Sequence, residues 1–235
     1  VLRSAGIDVD LSPDQAAEQI ADPAVGWAYV DQRFSCPSLH ELAELRTRIV
    51  KRPCLTTLEV LLGPGRGRSR AHLLTGYVHK PYPPVYTALA RESGYTSAMI
   101  VRGVEGGVIP SLNQPSKLFV YQGDELDKEV RLDPSDYGIN ATVRSAPLPK
   151  ITPAGDADDE IMTALDPDAL AASSAKAGLQ GLAGVDGPVR DSLVYGAALC
   201  LCQLGLEANA ASASEKVRSV LDSGEAMRRF EAVIQ

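Results

Sequence analysis

The chain has 235 residues, of which 45% are hydrophobic and 23% charged; this excludes a small disulfide-held scaffold and wholesale disorder, and a fold of this length buries most of its apolar surface. Lys and Arg number 23 against 30 Asp and Glu, a net charge of −7, which disfavours a protein that coats nucleic acid with its whole surface but allows a local basic face. No apolar run approaches the roughly 18–20 residues of a membrane span and the opening Val-Leu-Arg-Ser carries no signal-peptide pattern, so the chain reads as cytoplasmic.

Ser12-Pro13-Asp14-Gln15 joins a capping residue to a proline at the first helical position, and the apolar period after it predicts a helix to about Ala21. A strand is expected over 25–30. Leu39, Leu42, Leu45 and Ile49 recur at spacings of three and four, opposite Glu41, Glu44 and Arg48, which predicts one amphipathic helix over 38–50. Pro53 interrupts it, and a second short helix over 57–62 ends at Gly63-Pro64. A basic, glycine-rich loop, Gly63-Pro64-Gly65-Arg66-Gly67-Arg68-Ser69-Arg70, then runs into an apolar segment over 72–78. Past Pro84 come a helix over 85–93, the stop signal Gly94, and the run Ala98-Met99-Ile100-Val101 ended by Gly103. Strand, helix and strand at this spacing favour parallel pairing and the α/β class. Residues 117–121 and 129–132 read as an antiparallel edge hairpin, and 147–159 as an exposed proline- and acid-rich connector. Alanine-rich helices over 168–177, 189–204 and 212–221, and a last helix over 225–234, are expected to cover the sheet. The expected fold is α/β: a mostly parallel central sheet with an antiparallel edge and helices on both faces.

Few side chains carry an obvious chemistry. Cys36, Cys54, Cys200 and Cys202 lack a CxxC spacing, and Cys200 and Cys202 point to different faces of a helix, so free buried thiols are expected. His40, His72 and His79 show no metal-ligand spacing; His79, just past a strand in Val78-His79-Lys80-Pro81-Tyr82, reads as a loop histidine or a ligand contact. In the loop 63–70, glycines let the backbone approach an anion while Arg66, Arg68 and Arg70 offer bidentate phosphate contacts; a solvated basic loop is the equal alternative. Arg46, Arg48, Lys51 and Arg52 form a second basic cluster. Asp156, Asp158, Asp159 and Glu160 read as solvated linker charge. Glu105, in Arg102-Gly103-Val104-Glu105-Gly106-Gly107, stands where a sheet presents its carboxyl-end loops, although those glycines equally suit a plain tight turn.

Several segments in order resemble the anthranilate phosphoribosyltransferases and the rest of glycosyltransferase family 3. They are Val1-Leu2-Arg3-Ser4-Ala5-Gly6-Ile7 with Leu11-Ser12-Pro13, Cys36-Pro37-Ser38-Leu39 through Arg46, residues 58–64, residues 101–107, Leu132-Asp133-Pro134-Ser135-Asp136-Tyr137-Gly138, and a tail from Gly187 to Gly205 with Val220-Leu221-Asp222-Ser223-Gly224. The resemblance implies a small helical lobe and a larger α/β domain that together bind phosphoribosyl pyrophosphate, magnesium and an aromatic amine. It places the family's diphosphate-binding glycine loop and Lys-His-Gly segment upstream of Val1, and implies dimerisation through the helical lobe. Residues 1–35 and 65–235 then correspond to the α/β domain, and 36–64 to a hinge-side helix pair that packs with the small lobe.

By the same resemblance Arg46 matches the arginine that contacts the acceptor carboxylate, a plain surface arginine being the alternative. The magnesium-holding Asp-Glu pair falls on Val108-Ile109 and the preceding histidine on Arg102, which leaves Glu105 alone as a magnesium ligand. The segments 78–82 and 104–107 look more like the family's divergent second branch, for which the resemblance implies an undefined acceptor and an association with nucleic acid. Two readings follow: a pentosyl transferase domain that binds a phosphorylated ribose through Arg66, Arg68, Arg70, Arg46 and His79, or a non-catalytic binder of single-stranded nucleic acid on the same fold.

Overall fold

Four strands pair in chain order among the residues described by the computed structural model, which are 1–49, 54–149 and 166–234. Lys51, Arg52, Asp156, Asp158, Asp159 and Glu160 lie outside them. Strand β1 (His72–Gly76) runs parallel to β2 (Ser97–Val101), with His72 opposite Ser97 and Gly76 opposite Val101. Helix α6 (Tyr82–Glu92) lies between them in the chain, the strand, helix, strand unit that the spacing predicts. Strands β3 (Ser116–Gln122) and β4 (Lys128–Leu132) then continue the sheet, each antiparallel to the strand before it. The antiparallel share therefore reaches inward to β2 and leaves one parallel pair. The connection from β2 to β3 carries no α-helix and turns back at the edge where β2 ends, so β3 must return antiparallel.

Every residue of β2 is buried. Because side chains alternate along a strand, β2 feeds two cores. Ala98 and Ile100 pack with Tyr77, Tyr86, Ala90, Tyr95 and Tyr121 on the face covered by α6. Met99 and Val101 pack on the other face with Leu118, Val194, Tyr195 and Val217, beneath α8 (Pro188–Gln203) and α9 (Ala210–Asp222). Helix α7 (Pro167–Leu182) packs on α8, and α10 (Glu225–Glu231) on α9. Local capping explains where these helices start. Asp166 accepts from the amides of Asp168 and Ala169 at α7, Asn209 accepts from Ser212 at α9, and prolines open α7 and α8. The four cysteines are free, and burial pushes the Cys200 and Cys202 thiols of α8 above their ordinary value.

The amino-terminal part differs from expectation in two places. Helix α1 (Pro13–Ala21) forms as predicted, with the Ser12 and Gln15 side chains capping reciprocally, but residues 25–30 form no strand. Trp27 instead stacks on Phe230 at 5.5 Å and donates its indole N–H to the Arg229 carbonyl at 3.1 Å, which lays this segment against α10 without a strand partner. After the single turn α2 (Gln32–Ser35), the helix expected over 38–50 is broken into α3 (Pro37–His40) and α4 (Ala43–Arg48). Its apolar stripe finds little to pack against: Leu42, Leu45 and Ile49 are 37%, 52% and 41% exposed. Helices this short draw their stability from tertiary contact rather than propensity. Helix α5 (Leu55–Leu61) then leads to Gly63-Pro64, as predicted. Among the described residues no helix is long and apolar enough to cross a membrane.

The two cores set the expected response to truncation. Ile100→Ala, at a fully buried position in β2, should lower unfolding free energy by roughly 2–5 kcal/mol, whereas Leu45→Ala should stay within about 0.5 kcal/mol. Urea denaturation followed by circular dichroism measures both.

Candidate functional site

The carboxyl ends of β1 and β2 meet in a backbone-to-backbone contact. At Gly76, the last residue of β1, an added Cβ would come within 2.2 Å of the Gly106 and Gly107 carbonyl oxygens; at Gly103 it would come within 1.7 Å of the Gly107 oxygen. Only glycine permits so close an approach at these two positions. The turn is completed by a 3₁₀ segment, Val104–Gly106, in which Glu105 takes a left-handed backbone at φ 55°. Hydrogen bonds from the Val104 amide to the Ile109 carbonyl at 3.0 Å and from Gly107 to Val104 at 2.9 Å hold it closed.

Beside this turn lies a polar recess of about 160 Å³, lined by Arg102, Gly103, Val104, Ser111, Gln114, Pro115, Ser116 and Arg144. Its walls are fixed by hydrogen bonds that cross between segments. Ser116 donates its hydroxyl to the Arg102 carbonyl at 2.7 Å, Leu112 donates its amide to the Arg144 carbonyl at 2.9 Å, and the Asn113 side chain donates to the Thr142 carbonyl at 3.1 Å. Arg102 and Arg144 thus both line a recess in which no lining residue is acidic. The field of Arg102 also reaches Tyr77, where burial pushes the phenol above its ordinary value and Arg102 acts against that rise.

The residues singled out from the sequence do not converge. His79 and Glu105 stand at this carboxyl edge, His79 exposed with its ring 6.1 Å from that of Tyr82, beside a notch of only about 20 Å³. That is room for about one water. The loop carrying Arg66, Arg68 and Arg70 precedes β1 and so lies at the opposite edge of the parallel pair, a strand length of about 13 Å away. Its place is marked by Arg66, which stacks over Tyr95 at 4.3 Å, just before β2. These arginines therefore stand apart from His79 and Glu105, because a loop that enters a strand can only sit at its amino end. Arg68 and Arg70 are exposed and make no ion pair among the described residues. Arg46, on α4, is committed to an ion pair with Glu59 of α5 and serves to join the two helices. An apolar groove of about 610 Å³ opens between α3, α5 and α6, lined by Leu39, Leu42, Leu58, Leu61 and Leu89, with Arg66 also on its lining.

The side chains at the carboxyl edge do not suit magnesium, which demands hard oxygen ligands in near-octahedral order. Glu105 is 88% exposed and its nearest charged neighbour is Arg144, 4.0 Å away. Ile109 turns its Cδ1 onto the face of α8, close enough that a Cβ at Gly196 would meet it at 2.7 Å, so that position is filled by apolar packing. Among the described residues no group of three His, Cys, Asp or Glu side chains could hold a metal ion.

No family model matches the chain. Over its whole length it is 23% identical to the anthranilate phosphoribosyltransferase of Nitrosomonas europaea and 27% identical to that of Acidithiobacillus ferrooxidans, and it spans about three fifths of these relatives, 62% of each. Among solved structures it is similar to the anthranilate phosphoribosyltransferase of Saccharomyces cerevisiae. In the complex with 4-fluoroanthranilate the TM-score is 0.75 at 18% identity, covering 99% of this chain and 60% of that one. In the complex with PRPP and Mg it is 0.73 at 19% identity, with 99% and 60% covered. The enzyme of Thermus thermophilus gives 0.69 at 20%, with 99% and 62% covered. The likeness to anthranilate phosphoribosyltransferases read from the sequence is borne out along the whole chain, and the fold is shared.

The glycine contacts make the carboxyl edge sensitive to a single methyl group. Gly76→Ala and Gly103→Ala should each cost roughly 1–3 kcal/mol of stability through overpacking against backbone that cannot yield. Gly65→Ala, where an added Cβ meets nothing within 4 Å, should be nearly neutral in the same denaturation experiment.

Proposed function

We propose that this chain forms a phosphoribosyltransferase-like α/β domain whose ligand is a phosphorylated ribose, with phosphoribosyl pyrophosphate as the first candidate. The single observation that carries the reading is the carboxyl-edge recess: glycine-bounded, polar, bearing Arg102 and Arg144, and placed where open α/β sheets take their ligands. The likeness to anthranilate phosphoribosyltransferases along the whole chain supports it. The reaction class is displacement of diphosphate from the anomeric carbon of the sugar by an acceptor nucleophile. In such a displacement negative charge builds on the departing diphosphate, so fixed cationic groups aimed at it are worth most in the transition state. Arg102 and Arg144 supply that charge, and His79 and Glu105 border the same edge. Residues 36–64 pack with a helical lobe of the intact protein across the apolar side of α3 to α5, and dimerisation runs through that lobe.

Calorimetric titration of the intact protein with phosphoribosyl pyrophosphate tests the reading. Saturable binding in the micromolar to millimolar range is expected, about −8 to −4 kcal/mol of binding free energy. No heat at millimolar ligand contradicts it.

A second reading, a non-catalytic binder of single-stranded nucleic acid, is favoured by the opposite edge, where Arg68 and Arg70 are exposed and the Arg66 guanidinium lies over the Tyr95 ring. Backbone contacts from such side chains are electrostatic and insensitive to base sequence. If it holds, log K against log salt should fall with a slope near −0.7 for each phosphate contacted, and replacing Arg68 and Arg70 with Ala should reduce the slope by about one contact each. A mobility shift unchanged by both substitutions would remove this reading.

A further inference from the structure

We infer that the recess between Arg102 and Arg144 binds a phosphate or diphosphate group through guanidinium charge, without a divalent cation. The inference rests on the reading above only for what carries that group. The chain is acidic overall, with a net charge of −7, yet this recess collects two arginines and no acid. Arg102 makes no ion pair among the described residues, and the nearest carboxylate to Arg144, that of Glu105, is 4.0 Å away with both side chains exposed. Both guanidinium groups therefore keep donors for a ligand. A planar guanidinium presents paired N–H groups that match two phosphate oxygens, which a carboxylate pair can do only through an intervening cation.

Size and rigidity agree. A volume of about 160 Å³ corresponds to roughly five waters, room for a phosphoryl group or a compact diphosphate. Gln114 and Ser111 add neutral polar side chains to the lining. The wall segments are tied together before any ligand arrives, by the Ser116 hydroxyl on the Arg102 carbonyl and the Leu112 amide on the Arg144 carbonyl. Pre-ordered walls lower the entropic cost of binding. Nearby, the Ile109 side chain is spent on the contact with Gly196, and Val108 is aliphatic, so the adjoining turn offers a cation no carboxylate beyond exposed Glu105.

The test uses the intact protein and inorganic diphosphate as the probe, titrated by calorimetry first in EDTA and then with excess magnesium chloride. Binding in EDTA is expected, with no gain on adding magnesium. Arg102→Ala and Arg144→Ala should each weaken it roughly tenfold or more, as loss of a charge-assisted contact implies. Arg131→Ala, on exposed β4, should leave it unchanged, and Arg102→Lys or Arg144→Lys should restore part of the affinity while guarding against a folding artefact. Binding that needs magnesium, no binding in EDTA, or a doubly substituted protein that binds as well as the parent each overturns the inference. Phosphoribosyl pyrophosphate separates the two claims. Its retention by the double variant defeats the arginine recess alone, while diphosphate binding in EDTA without any binding of the sugar phosphate defeats the phosphoribosyltransferase reading alone.

Discussion

The carboxyl end of β2 depends on an absence of side chains. Because β2 is buried along its whole length and hydrogen-bonded to β1 on one side and β3 on the other, the chain leaving it has one direction to go, and Gly103 lets it turn there. Gly76 removes the matching obstacle at the end of β1, so the carbonyl groups of Gly106 and Gly107 rest directly on backbone. This contact fixes the turn 103–107, and with it the distance from Arg102 to the returning loop 110–116. Glu105 in a left-handed conformation is a strained residue of the kind that persists where surrounding structure over-determines it.

Charge is then distributed by topology. In an open α/β sheet the loops after parallel strands converge, whereas loops before them gather at the far edge. The arginine loop 63–70 enters β1 and is carried away from the carboxyl edge, while Arg102 leaves β2 and is carried to it. Arg144 arrives from a distant segment, pinned through the Leu112 amide. The result is two basic regions with different surroundings: a walled polar recess at one edge, and an open loop stacked on Tyr95 at the other.

Much of the frame was legible in the sequence because proline and glycine punctuate it. The Ser12 cap and Pro13 announce helix α1, Gly94 and Gly103 bracket β2, and the runs 117–121 and 129–132 give the hairpin of β3 and β4. Local pattern misled where the partner surface was decisive. Residues 25–30 look like a strand but have a stacking partner, Phe230, in place of a strand partner. The stripe Leu39, Leu42, Leu45, Ile49 looks like one helix, yet its exposed face offers little to hold a continuous one. For the site, the basic loop is conspicuous in the sequence, and chain order alone places it, as a loop before its strand, at the amino end of β1. Arg144 had no signal at all: it lies 42 residues from Arg102 in an irregular segment, and only the tertiary hydrogen bonds bring the two together.

The central claim is that the anion site of this chain lies at the carboxyl end of β2 and is built from arginines. A crystal structure of the intact protein grown with inorganic diphosphate in a metal-free medium tests that most directly. Phosphorus density within hydrogen-bonding distance of the Arg102 and Arg144 guanidinium groups is the predicted result; diphosphate seated on the 63–70 loop, with the recess beside Gly103 filled by water, contradicts it.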